Sequence, residues 1–327
     1  MFTRRFFLKG LSAAAAMLPF TAATGAAAAT AAAPVFSDTR LMMGTFVTVS
    51  ISGTSDTHAA DAAGRAFERM TALESLLTRH RASSPLGQLN AAGSLSDVPP
   101  ELLAVLEASA RMHRVTAGAF DPTVLPLLGV LEENPEAPDA RLMAEAAELV
   151  GLEHVRMGKG GVRFERSGMM LSLDGIAKGH IADEGARALL AAGVRNFLIN
   201  AGGDIVARGD KNGLPWRVAV ENPEKYEGRG EYPAVIALRD QAIATSGSYE
   251  NVLNREGTLN HILHPATGRC ASIPGVSVTA ASAMEADALA TALCVMPDPV
   301  AFTEGLPGAS CFVTLKGGAT HRSSRWA

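Results

Sequence analysis

The chain has 327 residues, with 29 Lys+Arg against 33 Asp+Glu and a formal net charge of −4. That near-balance excludes a nucleic-acid binder working through a basic surface, and 47% hydrophobic with 19% charged residues excludes an intrinsically disordered chain. Aromatic residues make up only 5%, which excludes a base-stacking platform rich in such rings.

The first segment reads as an address. Arg4-Arg5-Phe6-Phe7-Leu8-Lys9 is a twin-arginine signature, and an apolar, Ala-rich stretch runs from Leu11 to Ala33 before Pro34. Pro19, Thr21 and Gly25 break that stretch, so no stable membrane insertion is expected. The expectation is a signal peptide over 1–33, one domain over 34–327, and a periplasmic location reached by twin-arginine export. Cys270, Cys294 and Cys311 form no CxxC pair and read as small buried hydrophobes, with one disulfide left open as an alternative.

The rest reads as mixed helix and strand. Leu41–Ile51 is rich in Val, Thr and Phe and predicts one strand. Ala63, Phe67, Met70, Leu73 and Leu77 recur at helical spacing within 57–77. Pro99-Pro100 opens a helix running to about Thr116, with Glu101 in its first turn. Gly118–Leu131 carries two prolines and predicts irregular or short helical structure, Asp139–Val150 a helix, and 155–165 a hairpin about Gly158–Gly161. A helix is predicted from Ile176 to Ala192, stopped by Gly193. Strands are predicted at 196–200, 205–208, 216–220, 235–238, 243–245, 276–280 and 311–315, with a helix over 284–295. Glu221–Pro233 reads as a charged loop. Strands outnumber what a βα alternation needs, so the predicted class is α+β.

Five places carry candidate chemistry. Ser172–Gly179 is a strand-to-helix junction whose exposed N–H groups and Lys178 suit a phosphate, though it is not a Walker loop and a plain tight turn reads the same way. Asn200-Ala-Gly-Gly-Asp204 allows close backbone approach, but an Asp after Gly-Gly in a hairpin is also ordinary turn chemistry. Thr245-Ser-Gly-Ser-Tyr249 groups hydroxyls at a strand end and also marks an ordinary turn. His261-Ile-Leu-His264 supplies an imidazole suited to take a proton; read as a zinc pair, it lacks a third ligand at sensible spacing. Asp287 and Thr291 stand four apart on one helix face and offer two hard oxygen ligands, against the alternative of a solvated Asp and a self-bonded Thr.

Taken in order, Met43-Gly44-Thr45, Gly118-Ala-Phe-Asp121-Pro-Thr, Asp174–Gly179, Asn200–Asp204, Ser246-Gly-Ser-Tyr249, His261xxxPxTG268 and Ser282xxEAD287xxxT291 closely resemble the FAD:protein FMN transferase (ApbE) family over roughly residues 40–315. The resemblance implies a single α+β domain with FAD in a cleft. It implies Mg²⁺ (or Mn²⁺) as cofactor, FAD as substrate, AMP as leaving group, and a Thr or Ser hydroxyl of an extracytoplasmic electron-transfer protein as acceptor. By the same resemblance, Asp287 and Thr291 are metal ligands through side chains, and Gly175 and Ala290 through backbone carbonyls. Met43, Ala119, Phe120, Asp121, Ser172, Lys178 and Leu263 lie along FAD. Gly202, Gly203, Ser246, Gly247, Ser248 and Tyr249 line the same cleft. Lys178 and His261 serve catalysis, His261 as the base.

Three departures from the family pattern stand out. His264 occupies the Asp position of HxxDPxTG. His80, in Thr78-Arg-His80-Arg, stands where an aromatic residue is usual and is the candidate to contact FAD in its place. The Ser83–Asn90 element lacks the usual Arg before Leu-Asn. Two other readings share this residue set: a flavin-binding accessory of a periplasmic reductase, and an FAD pyrophosphatase with water as nucleophile.

Overall fold

The computed structural model describes residues 34–224 and 232–326. The expected signal segment lies outside the described residues, as does the middle of the 221–233 loop. The expected single strand at 41–51 is instead a hairpin of β1 (Phe36–Met42) and β2 (Thr45–Ser52). Met43 at φ +52° and Gly44 at φ +71° make its turn. Helix α1 (Asp56–Leu77) buries the predicted stripe, and Ser55 caps it by accepting the N–H of His58. Ser84 caps the short α2 (Pro85–Ala92), which stops at Gly93 in the left-handed region. After β3 (Ser94–Leu95) come α3 (Pro100–Val115), α4 (Leu125–Glu133) and α5 (Ala140–Ala147), so of the two readings of the proline-containing stretch, irregular or short-helical, the short helix holds.

The small β4 (Val155–Gly158) and β5 (Gly161–Phe164) hairpin then leads to α6 (Ala177–Ala191). Next come β6 (Asn196–Ala201), β7 (Asp204–Arg208), β8 (Trp216–Val220), β9 (Ala234–Leu238), β10 (Gln241–Gly247) and β11 (Gly275–Ala280). Helices α7 (Ala283–Leu293) and α8 (Pro299–Glu304) precede β12 (Ser310–Thr314) and β13 (Thr320–Arg322).

An antiparallel sheet of order β1-β2-β6-β7-β10-β11-β12-β13 forms the frame. Strand alternation gives it two apolar faces. One face, with Val47, Val49, Phe197, Ile199, Val206 and Val278, packs under α1, α6 and α7. The other, with Leu198, Ile205, Ile243 and Phe312, is covered by the β8–β9 hairpin and Trp326. A separate cluster joins α4 and α5 to the 253–270 segment. The three cysteines are free thiols, two of them buried. Among the described residues no helix is long and apolar enough to cross a membrane.

Candidate active site

The site forms where α6 and α7 start against the ends of β7 and β10. Lys178, on the first turn of α6, places Nζ 2.6 Å from Oδ2 of Asp204 and 4.0 Å from Oδ1 of Asp287. Asp204 opens β7 just after the Gly202-Gly203 turn, which Asn200 closes by accepting the N–H of Gly203 at 2.9 Å. Gly202 sits at φ +65° against Thr45, where a Cβ would lie 2.6 Å from the Thr45 hydroxyl. Both the turn and its packing on β2 therefore require glycine there.

Asp287 and Thr291 share one face of α7, as their spacing predicts. Oδ2 of Asp287 accepts the N–H of Gly179 at 3.0 Å, which leaves Oδ1 turned toward Lys178. Thr291 Oγ1 lies 3.3 Å from Ser246 Oγ and hard against Gly175, where a Cβ would come within 2.8 Å. The Ala290 carbonyl already accepts the N–H of Cys294 within the helix.

Two buried carboxylates face one ammonium. Burial, with the charge of Asp204 behind it, pushes the Asp287 carboxyl up to about 8. Burial raises Asp204 as well, against the pull of Lys178. Burial pulls the Lys178 ammonium down, but the carboxylates of Asp204, Asp287 and Glu250 outweigh it and hold the group protonated. Oδ1 of Asp204 is buried without a partner. An uncompensated carboxylate, a free buried carboxylate oxygen and a Thr hydroxyl are hard oxygen donors, so the residues fit a hard divalent cation. No cluster of three His, Cys, Asp or Glu side chains able to hold a metal occurs among the described residues. An ion seated here would complete its shell from the Thr291 hydroxyl, backbone carbonyls and the substrate.

His261 stands within electrostatic reach of Lys178 and Asp174. Burial first, and the Lys178 cation second, push its ring down to about 4. The ring bonds the Asn251 backbone, and Nδ1 is left buried with no partner. The imidazole is thus neutral at ordinary pH, with one nitrogen lone pair unspent. His264, at the unusual position, accepts the N–H of Ala266 on Nδ1 at 3.2 Å. That is the side-chain-to-backbone turn bond an Asp would make there, so the turn survives the exchange.

The other expected FAD residues fall into two groups. Met43 is half-buried in the β1–β2 turn, its N–H donating to Glu74 Oε1 at 2.9 Å. Ser172 joins the 120s to the 170s, its N–H donating to the Pro122 carbonyl and its Oγ accepting from the N–H of Asp174. Gly202, Gly203, Tyr249, Tyr232 and Thr245 border a cavity of about 50 Å³ on the sheet's other face. Ser246 is buried beside Thr291, Gly247 packs against Tyr249, and the N–H of Ser248 donates to the Pro274 carbonyl.

The side chains of Phe120, Asp121 and Leu263 turn inward instead. Asp121 accepts the N–H and hydroxyl of Thr123 and the N–H of Leu152. Phe120 and Leu263 are core residues, so a ligand would meet mainly the backbone of these segments, with half-buried Ala119 the most open point. His80 is exposed, near the Arg79–Asp174 ion pair of 2.7 Å. Sequence reasoning assigned no site role to Asp204, the direct partner of Lys178. The only available signal was the Asp closing Asn200–Asp204.

The family model described as the ApbE family matches residues 43–310. The chain belongs to the ApbE family. Within ApbE proteins, it is 30% identical over 269 residues to the FAD:protein FMN transferase of Klebsiella pneumoniae, covering 78% of this chain and 76% of that one. The Vibrio cholerae FAD:protein FMN transferase is 34% identical over 232 residues, covering 67% and 69%. The crystal structure of the ApbE protein from Thermotoga maritima superposes with a TM-score of 0.81 at 29% identity, covering 89% of this chain and 97% of that chain. The matched residues 43–310 take in helices α1, α6 and α7 and the strands from β2 to β11.

Proposed function

We propose that this chain is an FAD:protein FMN transferase. It takes FAD, attaches FMN by a phosphoester to a Thr or Ser hydroxyl of an extracytoplasmic redox protein, and releases AMP. The observation that carries the reading is the meeting of Lys178, Asp204, Asp287 and Thr291 at the start of α6 and α7 in an ApbE-family chain. The twin-arginine segment over 1–33 supports export to the periplasm, where such an acceptor would be met.

Asp287, Thr291 and the carbonyls of Gly175 and Ala290 would hold Mg²⁺, with Mn²⁺ as the other candidate. When bound, the ion neutralises diphosphate charge and polarises the phosphorus. Lys178 supplies a fixed positive charge beside it, already oriented by Asp204 and needing no reorganisation. His261 takes the proton of the acceptor hydroxyl on Nδ1. The acceptor oxygen bonds the phosphorus of the FMN half, the bond from that phosphorus to the bridging oxygen breaks, and AMP departs with the electron pair.

The test uses residues 34–327 with FAD, Mg²⁺ and a periplasmic acceptor domain. A flavin-fluorescent acceptor band on a denaturing gel, with stoichiometric AMP, is expected. Free FMN and AMP without the band would replace transfer by hydrolysis, and neither product would leave only a binding role. Asp287→Ala should abolish turnover at saturating Mg²⁺; an unchanged rate removes Asp287 from the ligand set.

A further inference from the structure

Helices α6 and α7 cap each other. The cap position of α6 is Ile176, which offers no side-chain hydrogen bond. The N–H of Gly179 in its first turn is instead taken by Asp287, which belongs to α7. In return Asp183, from α6, accepts the N–H of Ala283 on Oδ1 at 3.0 Å and that of Met284 on Oδ2 at 2.9 Å. These are the first two residues of α7, and Ser282 takes the N–H of Glu285 at 3.2 Å. The opening N–H groups of a helix have no partner within it. Here each helix closes the other's, with a carboxylate at each positive helix end.

The seam has no slack. A Cβ at Gly179 would run into the carbonyl of Ala283, and one at Gly175 would come within 2.8 Å of Thr291 Oγ1. Asp183 is buried, with both oxygens committed to α7. Asp287 and Thr291 lie one and two turns further along that helix, so an axial slip or rotation at Ala283 moves both of them.

We propose that Asp183 is a positioning residue of the active site. Its two hydrogen bonds fix the height and rotation of α7, and through them the placement of Asp287 and Thr291 against Lys178 and Gly175. The inference rests on the proposed metal ligation by Asp287 and Thr291 for the Mn²⁺ arm of its test and on the transferase reading for the activity arm; the amide-exchange arm rests on neither. Removing the carboxylate leaves the buried N–H of Ala283 and the part-buried N–H of Met284 unpaired, and α7 must shift or admit water to satisfy them.

The experiment uses residues 34–327. Amide hydrogen exchange at Ala283 and Met284 is measured in the wild type, and Mn²⁺ binding is followed by electron paramagnetic resonance without FAD. Variants are Asp183→Ala and Asp183→Asn. The second keeps the volume and one acceptor oxygen, and carries the comparison if the first does not fold. Ser323→Ala serves as control, removing a buried acceptor of the Cys311 N–H near the far edge of the sheet.

Both amides should be strongly protected in the wild type. Asp183→Asn should weaken Mn²⁺ binding about tenfold or more. The metal concentration needed for transfer should rise in step, with KM for FAD unchanged at saturating Mn²⁺. The control should bind Mn²⁺ like the wild type whatever its loss of melting temperature. Free exchange of both amides in the wild type, or wild-type Mn²⁺ affinity in Asp183→Asn, overturns the proposal. If the wild type binds Mn²⁺ and shows the protected amides but transfers no FMN, the transferase reading fails and the Asp183 assignment stands.

Discussion

His261 shows how far burial, with the Lys178 cation behind it, can retune a side chain. Its ring is pushed down to about 4, so its basic form dominates above that value. For kcat/KM, which reports the free enzyme, the sign is plain: activity depending on the neutral ring is retained at and above neutrality and is lost only as pH falls toward 4. At saturating Mg²⁺, which keeps Asp287 ionised, the profile should therefore be flat from about pH 5.5 to 7.5, where an ordinary histidine would inflect. A clear inflection near 6.5 would show that His261 is not the base or is not desolvated. His261→Asn should slow transfer by about 10²–10⁴-fold, with equilibrium FAD binding unchanged. A lost FAD affinity with normal turnover would reassign it to binding. The imidazole was legible in the sequence because few residues titrate near neutrality, but its environment was not. Asp204 lies in a stretch that also reads as ordinary hairpin chemistry. Only the fold carries it to Lys178, on a helix that precedes it in the chain.

At the scale of elements, helices with a regular apolar stripe and a clear start signal, a Ser cap or a Pro, were readable to within a residue or two. Helix α1 over Asp56–Leu77 and α3 over Pro100–Val115 are the clearest cases. Strand β1 was not, because Phe36–Met42 is an edge strand with mostly polar, exposed positions and no core alternation. The eight residues of α2 give too short a window for a period, and only the Ser84 cap and Pro85 at the first helical position mark its start. The seam between α6 and α7 is equally invisible in sequence, since Gly179 reads as a poor helix former until the Ala283 carbonyl is seen against it. Gly179→Ala should therefore destabilise, reversing its propensity gain, by about 1–3 kcal/mol. Urea titration measures this, and wild-type or higher stability would mean that the seam can open without cost. The loss should extend to Mn²⁺ affinity, because the same substitution pushes on the N–H that holds Asp287.

For the molecule as a whole, pH should act on stability through buried histidine. His180 lies within α6 with Nε2 buried and unpartnered. Burial first, then the charges of Arg187 and Arg69, push its ring from 6.5 down to about 4. A group whose pKa is lower when folded favours the native state fully above its unfolded value. That contribution is lost as pH falls from 6.5 toward 4. His180 alone accounts for a fall of up to about 3 kcal/mol over that window. His180→Gln should flatten the dependence by that amount, as read from urea midpoints at several pH values, while the slope due to His261 remains. Equal slopes in both proteins would show that His180 is solvated when it titrates.

The pairing of Val47 with Ala201 and of Ile243 with Ile205 sets a further limit, on when the protein can exist at all. The first hairpin has no further strand to pair with until β6 emerges, and the wall of the site formed by α7 follows only near the far end of synthesis. Long-range antiparallel pairing of this kind makes for slow acquisition of the native state, on the order of milliseconds to seconds. A nascent or truncated chain would display β2 as an unzipped ribbon inviting aggregation. Translocation in the finished state, the route the paired arginines at positions 4 and 5 suggest, would spare such a ribbon from being threaded across a membrane and reassembled on the other side.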